Sequence, residues 1–246
     1  MPRVLRPFLT SVLLVGAFIT MPARAVPGAF GVASVVPGLG QVFNGQFIEG
    51  LSWFAVSAGL MSSQDKTLSS VGMNLWMYNM YDAYRDAGGT PTDNKGVVRN
   101  WVSNLNPGNL FDPIGVSLIG VGVASGAANG YPALSSPRKL IEYSFVGLGE
   151  EALFRGFLYP SLSNTFQSKF MGALTSSLLF SAAHLNFQPF VFSVRFLAGM
   201  IFSWQLTRNK YDLGANIFAH SWYDVFVDSE GEAKITSLKL RWQATF

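Results

Sequence analysis

The chain has 246 residues, 49% of them hydrophobic, and only 13% are Asp, Glu, Lys or Arg. An ordinary soluble domain carries roughly 25% charged residues, so this composition excludes that class and points to a polytopic membrane protein. The net charge of +3 comes without any basic patch interleaved with aromatics, which argues against a nucleic-acid partner, and the absence of cysteine removes disulfides, thiol catalysis and Cys-ligated zinc together.

Residues 1–25 read as a secretory signal or a first membrane anchor. Arg3 and Arg6 form a basic start, Phe8 to Met21 an apolar core, and Ala23-Arg24-Ala25 a small-x-small cleavage pattern. Arg24 within that pattern keeps the uncleaved span open as a rival. Residues 26–86 are apolar but broken by Gly, Asn and Gln. They hold Pro37-Gly38-Leu39-Gly40-Gln41 and close on Tyr81-Asp82-Ala83-Tyr84-Arg85. These motifs resemble a small bacterial two-helix membrane module, and a helical hairpin is expected here. Residues 87–112, with Gly88-Gly89-Thr90-Pro91 and Asn106-Pro107-Gly108, form a polar connector.

Residues 113–228 carry five apolar runs: Pro113 to Asn129, Ile141 to Tyr159, Phe170 to Leu185, Pro189 to Leu206 and Leu213 to Val227. Each is near the ~17–25 residues that cross a hydrocarbon core. Gly122 and Gly126 form a small-xxx-small pair, read as helix packing. The tail, 229–246, is polar and suits a short strand or an interfacial segment. The expected fold is all-α, with about six to eight transmembrane helices and an active site between them.

Ionisable groups inside apolar runs are expensive and mark functional sites. The first cluster is Gly149-Glu150-Glu151-Ala152-Leu153-Phe154-Arg155. Glu151 and Arg155 stand at i and i+4 and can pair. Glu150, rotated about 100° by helix geometry, stays available. Its carboxylate suits a general base toward water, whereas an interhelical salt-bridge knot is the bland alternative. The second element is Phe180 with His184. The third is Asn216, His220 and Asp224, a polar stripe at i, i+4 and i+8 in which Asp224 can accept from His220 and fix its tautomer. The chain's two histidines both lie in apolar runs, which raises the odds of one shared site. Glu150, His184 and His220 would serve either as ligands of a catalytic Zn²⁺ with an open position or as a metal-free water-activating group. Ser181 and Ser221 are poorly placed for attack, so no acyl-enzyme is expected. Arg195 either counters the acidic cluster or snorkels to a headgroup, with snorkelling the favoured reading.

Glu-Glu-x-x-x-Arg, then Phe-x-x-x-His, then His-x-x-x-Asp, in this order and on separate spans, resembles the CPBP family of membrane proteases. That family includes the CAAX prenyl endopeptidases and bacteriocin-processing enzymes. The resemblance covers about half the chain. It implies an intramembrane endopeptidase in which Glu150, helped by His184, activates water. Glu151 and Arg155 would be a structural pair, and His220 with Asp224 would support the oxyanion or ligate the metal. Asp224 stands where many members carry Asn, and an ionised carboxylate cannot donate as an amide does. The implied partners are the lipid bilayer and a peptide or membrane-protein substrate, and the implied location is the bacterial inner membrane. A catalytically silent scaffold or immunity-type binding protein is the main rival, and an ion transporter a weaker one.

Overall fold

Backbone conformation at one corner sets how the chain begins. The computed structural model describes residues 26–128 and 136–227. The signal or anchor expected at 1–25 and the polar tail at 229–246 lie outside the described residues. Helix α1 (Val26–Ala33) turns at Gly38 into α2 (Leu39–Phe43), and then α3 (Phe47–Met61) and α4 (Lys66–Asp86) form an antiparallel pair. Gly38 has φ +79°, and a Cβ there would meet the Gly50 carbonyl oxygen at 1.9 Å, so only glycine fits this corner. Its N–H donates to the Asn79 side-chain oxygen at 2.8 Å. Gln41 Nε2 donates to Asp82 at 3.5 Å. The Pro-Gly-x-Gly-Gln corner is thus seated on the Asp-Ala-Tyr end of α4.

The segment 87–112 contains a short helix, α5 (Val97–Val102), and two 3₁₀ turns, Ser103–Leu105 and Pro107–Phe111. Helices α6 (Pro113–Ala128) and α7 (Pro137–Glu150) follow. Helix α7 runs without a break into a π-helical segment (Glu151–Leu158) and then α8 (Tyr159–Phe166). Next come α9 (Lys169–Ala183), α10 (Pro189–Arg208) and α11 (Gly214–Val227). No strand occurs among the described residues. Proline at the first position of α6, α7 and α10 loses no helical hydrogen bond there. Ser136 and Ser168 cap α7 and α9 by accepting from Arg138 and Met171 N–H. The five apolar runs coincide with α6, with the α7–π–α8 rod, and with α9, α10 and α11.

Helix α10 explains why the apolar content is so high. Phe190, Val194, Leu197, Ile201 and Trp204 form an exposed apolar stripe along one face. The opposite face, with Gly199, Phe202 and Leu206, is buried. Water would penalise such a stripe, and lipid would not. Helix α10 is also the one described helix long and apolar enough to cross a membrane alone, while Phe47–Met61 and Pro113–Ala128 are shorter apolar helices. The Gly122–Gly126 pair packs as expected: Cβ atoms there would stand 3.2 Å from the Tyr223 carbonyl oxygen and 2.4 Å from that of Phe226, so α6 lies close against α11.

Helix α4 is the wall behind the α7–π rod. A Cβ on Gly149 would meet the Asn74 carbonyl oxygen at 2.5 Å, and one on Gly156 would meet the Tyr81 ring at 2.7 Å. The N-terminal helices therefore abut the segment that carries Glu150 and Glu151.

Candidate active site

Glu150 ends α7 and Glu151 opens the π-helical segment. The spacing had suggested an uninterrupted α-helix across this motif. Instead eight residues adopt the wider π turn, which is rare overall and frequently found at functional sites. All eight are buried. The Ser176 hydroxyl donates to the Phe154 carbonyl within this stretch at 2.7 Å.

Glu151 and Arg155 form the expected pair, with Nη1 3.2 Å from Oε1 and side chains 0% and 1% exposed. Two further donors converge on Glu151. Asn216 Nδ2 donates to Oε2 at 3.2 Å, and His220 Nδ1 donates to Oε1 at 2.6 Å. Asn216 also donates to the Phe202 carbonyl at 2.8 Å, tying α11 to α10. The Arg155 guanidinium lies 4.2 Å from the Phe180 ring centre and 5.2 Å from that of Phe202. Cation–π attraction of this kind strengthens where water is excluded. Phe202 also stacks on His220, with centroids 5.5 Å apart and planes 17° apart.

In front of this assembly stands Glu150, with its side chain 18% exposed. Its Oε2 is 3.6 Å from His220 Nε2 and 3.9 Å from His184 Nε2. His184 Nδ1 donates to the Phe180 carbonyl at 2.8 Å, which turns Nε2 toward Glu150. Asp224 Oδ2 is 3.5 Å from His220 Nε2. Glu150 Oε2 is buried and makes no direct hydrogen bond among the described residues. Separations of 3.6 and 3.9 Å are too long for direct hydrogen bonds.

The structure thus brings Glu150, Glu151, Arg155, Phe180, His184, Asn216, His220 and Asp224 together from three segments of chain. Two details differ from the sequence reading. Glu151, not Asp224, fixes the His220 tautomer, because it lies directly on Nδ1 while Asp224 faces Nε2. Arg195 turns inward rather than out to a headgroup: its Nη1 is buried, and the carboxylates that act on it are Glu150 and Asp224. Phe202 went unnoticed, since nothing in the sequence separates it from the other 20 of the chain's 21 phenylalanines.

Zinc would need three donors gathered at bonds of about 2.0–2.2 Å. Among the described residues, one trio has its ligand atoms all within 4.8 Å of one another. It is Glu49, Asp82 and Asp86, not Glu150, His184 and His220. Two of that trio are already paired with Arg85, which lies 2.5 Å from Asp82 and 2.9 Å from Asp86. The Glu150 group as arranged is therefore wider than a zinc site, and its chemistry is derived below from the side chains alone.

Comparison with known proteins gives a consistent answer for this region. Residues 136–226 match the family model of Rce1-like type II CAAX prenyl endopeptidases. The match takes in α7 through most of α11 and leaves α1 to α6 outside. Among curated proteins and among solved structures, no match to the chain was found. The matched segment holds Glu150, His184 and His220 in the order and on the elements described above, and over these residues the chain is similar to that family.

Proposed function

We propose that this protein is an intramembrane endopeptidase that hydrolyses a peptide bond in a membrane-associated or leader-peptide substrate. One observation carries the reading: Glu150 Oε2, buried and without a hydrogen bond among the described residues, faces two imidazole Nε2 atoms at 3.6 and 3.9 Å. A water there loses a proton to Glu150, with His184 as its second contact. The hydroxide attacks the scissile carbonyl, and Glu150 returns the proton to the leaving amine. Glu151, Arg155 and Asn216 hold His220 in place. Were Zn²⁺ used, Glu150, His184 and His220 would be its ligands, and it would polarise the carbonyl and the water.

We further infer a division into an N-terminal helical module (26–86), a connector (87–112) and a protease domain (113–228). Together with a first anchor or signal they would give about six to eight spans in a bacterial inner membrane. The exposed stripe on α10 supports the membrane setting.

The test is cleavage of a transmembrane and leader-peptide library by the purified protein in lipid. Wild type is compared with Glu150→Ala and His184→Ala, each with and without a zinc chelator. Cleavage that disappears in both variants supports the protease, and chelator sensitivity separates metal from metal-free chemistry. Cleavage unchanged by the substitutions, or none by any form, favours the scaffold reading.

A further inference from the structure

Any hydrolysis through attack on a carbonyl needs a donor for the oxygen that becomes negative. Donors at this site are scarce. Asp224 is a carboxylate facing His220 Nε2, and when ionised it only accepts. His184 commits its Nδ1–H to the Phe180 carbonyl and His220 commits its own to Glu151. A proton on His220 Nε2 would lie between two carboxylates, Glu150 at 3.6 Å and Asp224 at 3.5 Å. Arg155 is paired with Glu151 and roofed by Phe180 and Phe202.

Arg195 is the remaining cation. It lies on the inward stripe of α10, between Phe192, whose carbonyl accepts from the Ser181 hydroxyl at 3.2 Å, and Gly199, where a Cβ would meet Ser177 at 2.8 Å. The same stripe continues to Phe202 against His220. The exposed stripe of Val194, Leu197 and Ile201 faces the other way. The Arg195 Nη1 is buried and has no hydrogen-bond partner among the described residues. Its charge environment is Glu150, Asp224 and the Tyr223 hydroxyl, and His184 feels it in turn.

We propose that Arg195 is the catalytic donor that holds the oxyanion, a role that the Asp224 carboxylate cannot fill. This rests on the water-activation reading above. As the hydroxide oxygen bonds to the carbonyl carbon, the C=O π pair moves onto oxygen and the guanidinium N–H groups donate to it. When the C–N bond breaks, the pair returns to the carbonyl and Glu150 passes its proton to the nitrogen, so peptide and water become acid and amine. An ionised Asp224 beside Arg195 keeps the cation aimed inward between turnovers.

The test uses the full chain in lipid and a peptide that wild type cleaves from the library. Compared are Arg195→Met, Arg195→Lys, Asp224→Asn and the double variant Asp224→Asn/Arg195→Met, each checked for an unchanged melting temperature in detergent. Removing one oxyanion donor costs ~10²–10³ in kcat. Arg195→Met is therefore expected to lower kcat about 100-fold with KM within about threefold, and Arg195→Lys to recover part of it. In the Asp224→Asn background, where an amide can donate, the loss on adding Arg195→Met is expected to be under about tenfold. Equal losses in both backgrounds, or a change confined to KM, would overturn the proposal. If Glu150→Ala is silent while Arg195→Met turns over like wild type, only the Arg195 role falls. If wild type cleaves no peptide, both readings fall together.

Discussion

His220 Nδ1 lies 2.6 Å from Glu151 Oε1, the shortest polar contact of the site. Through it a fully buried side chain fixes the ring of His220, whose Nε2 faces Glu150 at 3.6 Å. The same carboxylate takes Asn216 and Arg155, so a single fully buried side chain joins the π-helical segment to α11 and, through the Phe202 carbonyl, to α10.

Glu151→Gln should therefore be structural in its effect. The amide oxygen can still accept from His220, but Arg155 is left buried and unpaired. Breaking a buried ion pair on one side costs about 3–5 kcal/mol. The expected result is a large drop in melting temperature in detergent, with Glu150→Gln melting close to wild type. Equal melting of all three proteins would contradict it.

Gly149→Ala tests how tightly Glu150 is registered. The added methyl would meet the Asn74 backbone, with its carbonyl oxygen at 2.5 Å, and a backbone neighbour cannot rotate away. Helix α7 must shift from α4, and overpacking of this kind typically costs about 1–3 kcal/mol. Peptide cleavage should fall by more than the loss of folded protein explains. Comparison of specific activity with the folded fraction measures this.

Phe202→Ala should damage both stability and function. Phe202 is 5% exposed and lies against both the His220 ring and the Arg155 guanidinium. Truncating a buried phenylalanine costs about 3–5 kcal/mol. Phe202→Leu is expected to keep most of the stability yet lose the flat surface beneath His220. Melting should then be mildly lowered and cleavage strongly reduced. Leucine behaving as wild type in both assays would remove the stacking argument.

Asp112 gives a pH dependence outside the spans. Burial pushes its carboxyl up, but N–H groups of Gly115 and Ile114 and the side chains of Asn209 and Gln205 donate to it, and the net direction is down from the ordinary value. A depressed folded value means the stabilisation is complete above the unfolded pKa of about 3.9 and is lost as pH falls through the folded one. Melting temperature should thus decline on the acid side below roughly pH 4. Asp112→Asn should flatten part of that decline and lower stability at neutral pH by about 1 kcal/mol, as expected for a weakened N-cap. An identical acid limb in both proteins would be the contrary result.

Much of the site was legible because its constraints are local. Glu151 and Arg155 meet because residues four apart share a face, and Asn216, His220 and Asp224 line one side of α11 for the same reason. The five apolar runs appear as helices because a long apolar stretch removed from water must satisfy its backbone hydrogen bonds internally. What could not be read depends on contacts between distant segments. The π turn follows from how a buried stretch packs on α4 and α9, and i to i+4 spacing has no term for that. Arg195 kept two readings because snorkelling and inward pairing begin from the same apolar run. The exposure of the opposite α10 stripe and the burial of the Arg195 Nη1 favour the inward one. Phe202 matters through what it touches, and the sequence alone does not say what that is.

The wall that α4 builds behind the Glu150 rod has a consequence for the size of the working unit. The recognisable family segment begins at residue 136, yet Asn74 and Tyr81 fill the contours left by Gly149 and Gly156, and Gly31 receives the Phe157 ring. A fragment trimmed to that segment would present a bare glycine furrow where its backing belongs. A chain that reaches back to α1 is therefore expected to hold both carboxylates in register better than the trimmed fragment, which comparison of their melting temperatures in detergent would show.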